Sequence, residues 1–434
     1  MEIDLMSLTR RGFLATSAAA ASMAFDRPAS ARVMGANERV RVAAIGTSRS
    51  NSGKNPGQGA TLAINTAQLQ GAEVAVVCDV DDVHMKACAA DVAAKQARPP
   101  AMEKDLRKVL ENKDVDAVTI GTPDHWHAPA AILAIAAGKH VYCEKPCCHN
   151  PREGELLVEA ARKHKRVVQH GTQRRSWPSQ IEAIQRIKDG EIGRVMSAKC
   201  YYLGSDRPSI GKGKAAPVPE KLDWALWQGP APEREYKDNV VHYNWHWFWH
   251  WGTAELGNNG VHTIDVARWG LGVDVPLRVT SSGLHQRFDD DQETPDTHLA
   301  AFTFANNTQI TWEGRSWGAK RPGDPACQVG FFGDRGSLLI NGTGYVMYDL
   351  QDKEIGKGAA AGDTRVHLQN WLDSIRGTAK LNAEIEEGFK STMLCHLGNI
   401  AFRTGRTIDP AAPKPKDVET LWSREYRNGW EPKV

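Results

Sequence analysis

The chain has 434 residues, more than one hydrophobic core usually organises, so two domains with a cleft between them are expected. Its 54 basic and 52 acidic side chains leave a formal net charge of +2, which argues against a nucleic-acid or anionic-membrane binder. Eight cysteines without a CxxC pair exclude a disulfide scaffold and favour buried thiols. The expected ligand is a small molecule.

The N-terminus carries the pattern of a targeting segment. Thr9-Arg10-Arg11-Gly12-Phe13-Leu14 and the Ala-rich run after it resemble a twin-arginine export signal, and Ala29-Ser30-Ala31 fits a cleavage site. We therefore predict a signal peptide over residues 1–31 and a periplasmic or otherwise exported protein. A frayed basic terminus is the alternative. No later apolar run is long enough to span a bilayer.

From Val40 the sequence alternates short apolar runs with helical segments. The runs VRVAAIG, AEVAVVCD, VDAVTIGT, HVYCEKP and RVVQHG predict buried strands, with helices at 127–138 and 151–165. Apolar strands joined by helices are typical of a parallel sheet covered on both faces. Residues 38–175 are thus predicted to form a Rossmann domain with a doubly wound parallel sheet.

The pattern changes after residue 175. A helix over 178–190 is followed by longer β-like runs, RVMSAKCYYL, HLAAFTFA and TQITWEG, and by helices at 366–377 and 385–403. Residues 176–434 are predicted to form a C-terminal α+β domain with a largely antiparallel or mixed sheet. The overall fold class is α/β.

The first strand ends in a degraded form of the GxGxxG turn that binds dinucleotides. Gly46 is in place, Ser48 stands where the second glycine belongs, and the third glycine is displaced to Gly53 or beyond. Ser48, Arg49 and Asn51 are candidate donors to the phosphates. A Gly-rich turn without a ligand remains the alternative for these residues.

The second strand ends at Asp79, where an acidic side chain accepts hydrogen bonds from the ribose hydroxyls and repels a 2′-phosphate. NAD is therefore expected, rather than NADP. Asp79 could instead cap the following helix.

Residues 115–149 carry the most specific motifs of the chain. They are Thr122-Pro123 after the third strand run, His127 in the helix, Gly138-Lys139-His140, and Glu144-Lys145-Pro146. This segment resembles the signature of the Gfo/Idh/MocA oxidoreductases, a family with an N-terminal Rossmann domain and a C-terminal α/β domain built on a largely antiparallel sheet.

The resemblance implies that Lys145 lies beside the nicotinamide and the reacting carbon. It also implies that Glu144, Pro146, Thr122, Pro123 and His127 help to bind the cofactor. Independently, a lysine at the end of a buried strand is expensive unless its charge is used, and it can stabilise a forming alkoxide. A lysine that extends its ammonium group to the surface is the alternative.

The same family commonly has a D-x-x-x-H motif in its C-terminal domain. Asn258 to His262 matches the spacing, with asparagine in place of the aspartate. His262 is thus the candidate general base, Asp265 lies one helical turn on and could orient its ring, and Asn258 could bind a substrate hydroxyl.

Residues 242–251, HYNWHWFWHW, alternate histidine and tryptophan. The four-residue spacing of His242, His246 and His250 would align them on a helix, but no carboxylate or thiolate set accompanies them, so we predict no metal. Aromatic faces and imidazoles suit a sugar pocket. The candidate substrate-binding residues are Trp126, Arg174, His246, Trp247, Trp249 and His250. Core packing is the alternative for each tryptophan.

These observations predict an NAD-dependent oxidoreductase that transfers hydride from a CH–OH group of a sugar, glycoside or polyol. One alternative is an NAD-dependent glycosidase that oxidises a ring carbon transiently and recycles a bound cofactor. Another is a carbohydrate-binding protein without activity on the same scaffold. The resemblance implies a homodimer or homotetramer.

Overall fold

The computed structural model of the chain describes residues 39–49, 55–204 and 206–434. The predicted export signal, residue Asn51 and residue Gly53 lie outside these ranges. Within them, no helix combines the length and the apolar character that crossing a membrane requires.

The first part of the chain forms a parallel sheet. Its strands are β1 (Val40–Ile45), β2 (Ala72–Cys78), β3 (Ala101–Glu103), β4 (Ala117–Ile120), β5 (His140–Cys143) and β6 (Val168–His170). The helices between them are α1 (Gln58–Ala67), α2 (Asp82–Ala93), α3 (Leu106–Glu111), α4 (Asp124–Ala136) and α5 (Pro151–His164). The strand order β3-β2-β1-β4-β5-β6 confirms the predicted Rossmann sheet.

Alternate residues of the central strands bury apolar side chains on opposite faces. Ala44 packs with Ala63 and Cys88 on the α1 and α2 side, while Ile45 packs with Ile132 on the other side. Both faces are therefore covered, which explains the continuous apolar strand sequences. Edge strand β3 was not predicted because it has three residues, two of them exposed.

The second sheet has eight strands. They are β7 (Val195–Leu203), β8 (Arg278–Leu284), β9 (Thr297–Thr303), β10 (Gln309–Arg315), β11 (Val329–Gly333), β12 (Gly336–Asn341), β13 (Gly344–Asp349) and β14 (Glu354–Ala359). Their order is β14-β13-β12-β11-β7-β10-β9-β8, and all pairs are antiparallel except β7 with β10. This confirms the predicted largely antiparallel C-terminal sheet.

One face of this sheet is buried by helices. The remaining helices of the chain are α6 (Pro178–Lys188), α7 (Trp224–Gln228), α8 (Val261–Leu271), α9 (Thr364–Ile375), α10 (Ile385–Thr404) and α11 (Lys416–Trp422). Trp312 and Phe331 of the sheet share one core with Ile264 of α8 and Leu397 of α10. Strands β8 and β11–β14 were not predicted individually, although Asn341-Gly342 is a typical hairpin turn.

The C-terminal part of the chain returns to the first sheet. Trp371 and Leu372 of α9 are buried against Val42 and Tyr142 of that sheet. The backbone N–H of His170, at the end of β6, donates to a carbonyl at residue 383. The predicted boundary near residue 175 falls between the two sheets, but the chain beyond it contributes to the packing of both.

Residues 206–251 contain little regular structure and build a third core. Within it Trp224 stacks on Trp227 with ring centroids 4.7 Å apart, and Trp247 and Trp251 are almost fully buried. This aromatic segment, as we call residues 206–251, also contacts the connection between β2 and α2 and the first residue of α2. The backbone N–H of Asp82 donates to the carbonyl of Lys221, and the N–H of Asp223 donates to the carbonyl of Val80. It thereby lies along the carboxyl end of the parallel sheet.

Candidate active site

A cavity of about 600 Å³ runs along the carboxyl ends of the parallel strands. One end is formed by Gly46, Asp79 and Asp81, and the other by Lys145 and Asn258. Its volume suits a cofactor or drug-sized ligand, and its place at the strand ends is where open α/β sheets bind nucleotides.

Glycines shape the turn between β1 and α1. Gly46 has a φ of +77°, and a Cβ there would lie 2.6 Å from the backbone N of Thr122. A Cβ on Gly59 would lie 1.8 Å from the Gly46 carbonyl oxygen. Gly59 therefore provides the close helix-strand approach that GxGxxG assigns to its third glycine. Gly57 has no side chain that could cap the start of α1, so among the described residues the N–H groups of that turn are left for a pyrophosphate.

The predicted phosphate donors lie at this end of the cavity. Ser48 lines the cavity, and its carbonyl accepts the Gly57 N–H at 2.8 Å. Arg49 also lines it, but its Nη2 pairs with Asp91 at 2.5 Å. The Arg49 guanidinium is thus partly engaged by protein.

Asp79 lies at the end of β2, on the cavity wall. Its Oδ2 accepts the N–H of Thr47 at 2.6 Å, and its Oδ1 accepts the N–H of Asp81 at 2.9 Å. A carboxylate has about four acceptor positions, so capacity remains for a ribose hydroxyl. Burial raises the pKa of Asp79. The cap of helix α2 is Asp81, whose side chain accepts from Val83 and His84, and not Asp79.

Lys145 connects the two sheets at the far end of the cavity. It follows β5, and its Nζ donates to the backbone carbonyl of Asn258 at 2.9 Å and to the Asn258 Oδ1 at 3.2 Å. Asn258 belongs to a single wide helical turn, Leu256–Gly260, that leads into α8. The structure thus brings together two of the predicted site residues, which lie 113 positions apart in the chain.

Glu144 and His127 hold this strand end in place. The Glu144 Oε1 accepts from Gln58 at 2.8 Å and from Gln173 at 3.1 Å, and burial raises the pKa of this carboxyl group. The His127 ring nitrogens lie 2.6 Å from the Pro146 carbonyl and 2.8 Å from the Thr122 carbonyl. Burial lowers the pKa of His127 to about 4.

Among the residues predicted here to bind the cofactor, Thr122, Pro123, His127 and Glu144 line the cavity. Pro146 is different, because its carbonyl oxygen faces the His127 ring and the residue is not part of the lining. Its contribution is to position the strand end.

His262 lies close to Lys145. Burial, and next to it the charge of Lys145, lowers the pKa of His262 well below its usual range. The His262 Nδ1 is buried and has no hydrogen-bond partner among the described residues. The ring is not part of the lining of the main cavity.

The role predicted for Asp265, orienting the His262 ring, is wrong. Its carboxylate accepts from Arg175 Nε at 2.8 Å and from Ser391 Oγ at 2.7 Å. Burial would raise the Asp265 pKa, but the charge of Arg175 outweighs it and the pKa is lowered. One helical turn places Asp265 on a face of α8 that packs against α10 and the turn holding Arg175, away from the cavity.

Only two of the six residues predicted to bind the substrate line the cavity. His246 and Trp126 line the cavity, but Trp247, Trp249, His250 and Arg174 do not. Trp247 is core, with Arg207 over its ring at 3.4 Å. The Trp249 Nε1 donates to Glu293, the His250 Nε2 lies 2.8 Å from the Pro232 carbonyl, and Arg174 donates to Gln328.

Residues 242–251, in which histidines and tryptophans alternate, do not form the helix that would align the three histidines on one face. Only 244–247 makes a short helical turn, so His242, His246 and His250 point to different partners. The His246 Nδ1 lies 2.6 Å from the Tyr243 carbonyl. Since a carbonyl only accepts, Nδ1 carries the proton and Nε2 is left as an acceptor. Burial lowers the pKa of His246 to about 3.

Sequence reasoning missed Asp124, which lines the cavity and accepts from Thr253 Oγ1 at 2.6 Å. Burial raises its pKa to about 7, against the Thr253 bond and the charge of Lys145. Asp124 follows Thr122-Pro123 directly, so its position next to that motif could have indicated that it belongs to the site. Tyr243 and Trp245 also line the cavity.

A glycine-shaped turn after the first strand, an acidic side chain at the ribose position and a lysine that contacts the turn before α8 are features of a dinucleotide-binding Rossmann domain joined to a second α/β domain. Two family models match the chain: an oxidoreductase family NAD-binding Rossmann fold over residues 40–172, and an oxidoreductase family C-terminal alpha/beta domain over residues 162–421. The chain belongs to the Gfo/Idh/MocA oxidoreductase family.

Curated relatives match the chain over part of their length. Levoglucosan dehydrogenase of Pseudarthrobacter phenanthrenivorans is 29% identical over 185 residues, 42% of this chain and 40% of that enzyme. Inositol 2-dehydrogenase of Salmonella typhimurium is 34% identical over 142 residues, 32% of this chain and 41% of that enzyme. The aligned part thus spans less than half of these relatives.

Solved structures share the fold. A levoglucosan dehydrogenase in complex with NADH and levoglucosan has a TM-score of 0.66 at 17% identity, covering 86% of this chain and 100% of that one. An aldose-aldose oxidoreductase from Caulobacter crescentus complexed with glycerol has a TM-score of 0.64 at 18% identity, covering 86% and 99%.

Proposed function

We propose that this protein is an NAD-dependent dehydrogenase that oxidises a CH–OH group of a sugar, glycoside or polyol. The observation that carries the proposal is the contact between Lys145 and Asn258, made at the opposite end of the cavity from the glycine turn and Asp79. A nicotinamide cofactor binding along this wall would end where these two polar side chains meet. The similarity to levoglucosan and inositol dehydrogenases supports a carbohydrate or cyclitol substrate.

The residues of the cavity fit the cofactor. The turn at Gly46 has no room for a side chain, the start of α1 has no capping side chain, and Asp79 retains acceptor capacity. NAD would supply the hydride acceptor. The protein residues would bind and orient the substrate and handle its proton.

Lys145 can donate hydrogen bonds to a substrate oxygen as negative charge develops on it. An ammonium that is partly shielded from solvent acts more strongly on a nearby oxygen than one in bulk water. In this structure the amine is held by two Asn258 oxygens, which fixes its direction before a substrate arrives. Preorganisation of this kind is what makes such a donor effective.

We assign His262 as the group that takes the hydroxyl proton and His246 as a group that orients the substrate. The His262 Nδ1 is buried beside Lys145 and has no hydrogen-bond partner among the described residues, so it is an available proton acceptor next to the main cavity, although the ring is not part of the cavity lining. His246 faces the same cavity with its Nε2 as an acceptor. Asp124, with its pKa near 7, could hold the proton afterwards.

Turnover is the direct test. The full chain would be incubated with NAD and a panel of polyols, aldoses and anhydrosugars while the absorbance band of reduced nicotinamide is followed. Reduction with at least one carbohydrate, and none with simple alcohols of similar size, is expected. Absence of reduction across the panel, together with saturable NAD binding, would contradict the proposal.

Asn258 favours a second candidate, an NAD-dependent glycosidase. The side-chain amide of Asn258 lacks the negative charge of the aspartate that is common at this position of the family motif. Asn258 therefore suits a reaction in which the substrate is oxidised and then reduced again, with no net change in its oxidation state. The twin-arginine pattern supports export, where a recycled cofactor would suffice. Release of an aglycone from nitrophenyl glycosides, without net NADH, would establish this activity; net NADH without aglycone release would exclude it.

A further inference from the structure

We propose that Asp81, His84 and His242 form a binding site for a divalent transition-metal ion, with Zn²⁺ as the best match. Each residue offers one ligand atom, and the three atoms lie within 4.8 Å of one another. All three residues line the adenosine end of the main cavity. The site is separate from the contact between Lys145 and Asn258.

Two of the three ligands are placed by the start of α2. Asp81 caps this helix, and its Oδ1 accepts the N–H groups of Val83 and His84, which leaves Oδ2 available. His84 follows three residues later, a spacing that puts both side chains on one side of the first turn. The cap therefore fixes the carboxylate next to the imidazole.

The third ligand comes from the aromatic segment. The His242 Nε2 lies 3.5 Å from the Asp81 Oδ2, and the rings of His242 and His84 have centroids 4.2 Å apart. A distance of 3.5 Å is long for a hydrogen bond between nitrogen and oxygen. It is close to the roughly 3.3 Å that separates two ligands on a tetrahedral Zn²⁺ with bonds of about 2.0–2.1 Å.

The polar atoms of this cluster are poorly satisfied by protein alone. The His84 Nδ1 is buried without a hydrogen-bond partner among the described residues. The Asp79 carboxylate lies near, but it accepts the N–H groups of Thr47 and Asp81 and is not counted among the three ligands.

The remaining adjustment is small. The three ligand atoms lie within 4.8 Å of one another, so each pair must shorten by at most about 1.5 Å for tetrahedral binding. The His242 side chain is 33% exposed and can rotate, whereas Asp81 is held by its helix cap. Three protein ligands leave the fourth position open toward the cavity, where water or a ligand oxygen can bind.

An ion here would join the aromatic segment to the nucleotide-binding sheet. Its ligands flank Asp79, so its occupancy would alter how firmly the adenosine half of a cofactor is held. This coupling, unlike the metal site itself, rests on the proposed use of NAD.

Metal binding can be measured without any substrate. Full-length protein, purified without a histidine tag and dialysed against a chelator, would be titrated with Co²⁺ and then Zn²⁺, following the visible absorption of tetrahedral Co²⁺. One Co²⁺ per chain, displaced by Zn²⁺, is expected. Absence of saturable binding in the wild-type chain would overturn the site.

Variants then assign the ligands. His84→Ala and His242→Ala should each weaken Co²⁺ binding more than about tenfold. His250→Ala is the matched control, because that histidine lies in the same segment but contacts the Pro232 carbonyl, and it should bind as wild type. Equal loss in all three variants, or in none, would overturn the assignment.

NAD affinity with and without Zn²⁺ tests the coupling. Tighter NAD binding by the Zn²⁺-loaded protein, lost in His242→Ala, is expected. Unchanged affinity would overturn the coupling. A protein that binds Zn²⁺ but oxidises no carbohydrate would overturn the proposed dehydrogenase and leave the metal site intact.

Discussion

The Lys145 amine donates hydrogen bonds to the backbone carbonyl of Asn258 at 2.9 Å and to the Asn258 side-chain Oδ1 at 3.2 Å. One residue follows the fifth strand of the nucleotide-binding sheet, and the other precedes the helix that packs under the second sheet. The contact therefore sets the distance between the two halves of the cavity at the point where the chemistry is proposed.

Replacing Lys145 should stop turnover with little effect on the fold. In Lys145→Met the volume remains but the charged donor is gone, so kcat should fall about 10²–10³-fold. NAD affinity, measured by quenching of tryptophan fluorescence, should change much less. Lys199→Met, on an exposed position of β7, is the control and should keep wild-type kcat. Equal kcat in Lys145→Met and wild type would remove Lys145 from the mechanism.

Substitutions of His262 and His246 should have different effects on the steady-state constants kcat and KM. His262→Gln removes the proposed proton acceptor, so kcat should fall about 10²–10⁴-fold. His246→Gln removes a substrate contact and should mainly raise KM for the carbohydrate. A larger kcat loss in His246→Gln than in His262→Gln would exchange the two roles.

Asp124 should make stability depend on pH. Its folded pKa is raised from 3.8 to about 7, so its stabilising contribution is complete below pH 3.8 and is lost as the pH rises through 7. Between pH 5 and 8 this amounts to about 3 kcal/mol. Asp124→Asn stays neutral and can still accept from Thr253, so its free energy of unfolding in urea should fall less over this range. Parallel pH profiles for both proteins would contradict the assignment.

The buried pair of Asp265 and Arg175 should be structural. Asp265→Asn removes the close carboxylate partner of the buried Arg175 and leaves the longer ion pair with Glu387 at 3.7 Å, so about 3 kcal/mol of unfolding free energy should be lost. Because the Asp265 pKa is lowered, its contribution is present above its ordinary value and is lost as the pH falls through the folded value. Urea unfolding at pH 7 checks the first effect. A stable variant with greatly reduced kcat would restore a catalytic role for Asp265.

Local patterns in the sequence predicted five of the six strands of the first sheet, all except the short edge strand β3. Continuous apolar runs between turn residues, such as VAAI in β1, are typical of strands buried on both faces, so these strands and their parallel arrangement could be predicted. The same holds for Glu144-Lys145-Pro146, whose position after a strand fixed it at the carboxyl edge.

The spacing of polar residues along the chain was a poor guide to which side chains meet. The spacing of His242, His246 and His250 suggested one helical face, but the segment has only a short helical turn and each ring has a different partner. Asp265 stands one turn from His262, yet its charge is satisfied by Arg175, ninety positions earlier in the chain. Such partners depend on packing between distant elements, which spacing along a helix does not record.

The sequence by itself determined the strands of the first sheet other than β3, three strands of the second sheet (β7, β9 and β10), the glycine turn after β1 and the place of Lys145 at a strand end, since these follow from hydrophobic period, glycine and strand-end position. Only the tertiary structure decided which side chains meet: Lys145 with Asn258, Asp124 with Thr253, and Asp81 with His84 and His242. The physical reason is that burial and the charge of a distant neighbour, rather than local spacing, decide whether a polar side chain is paired or left available for chemistry.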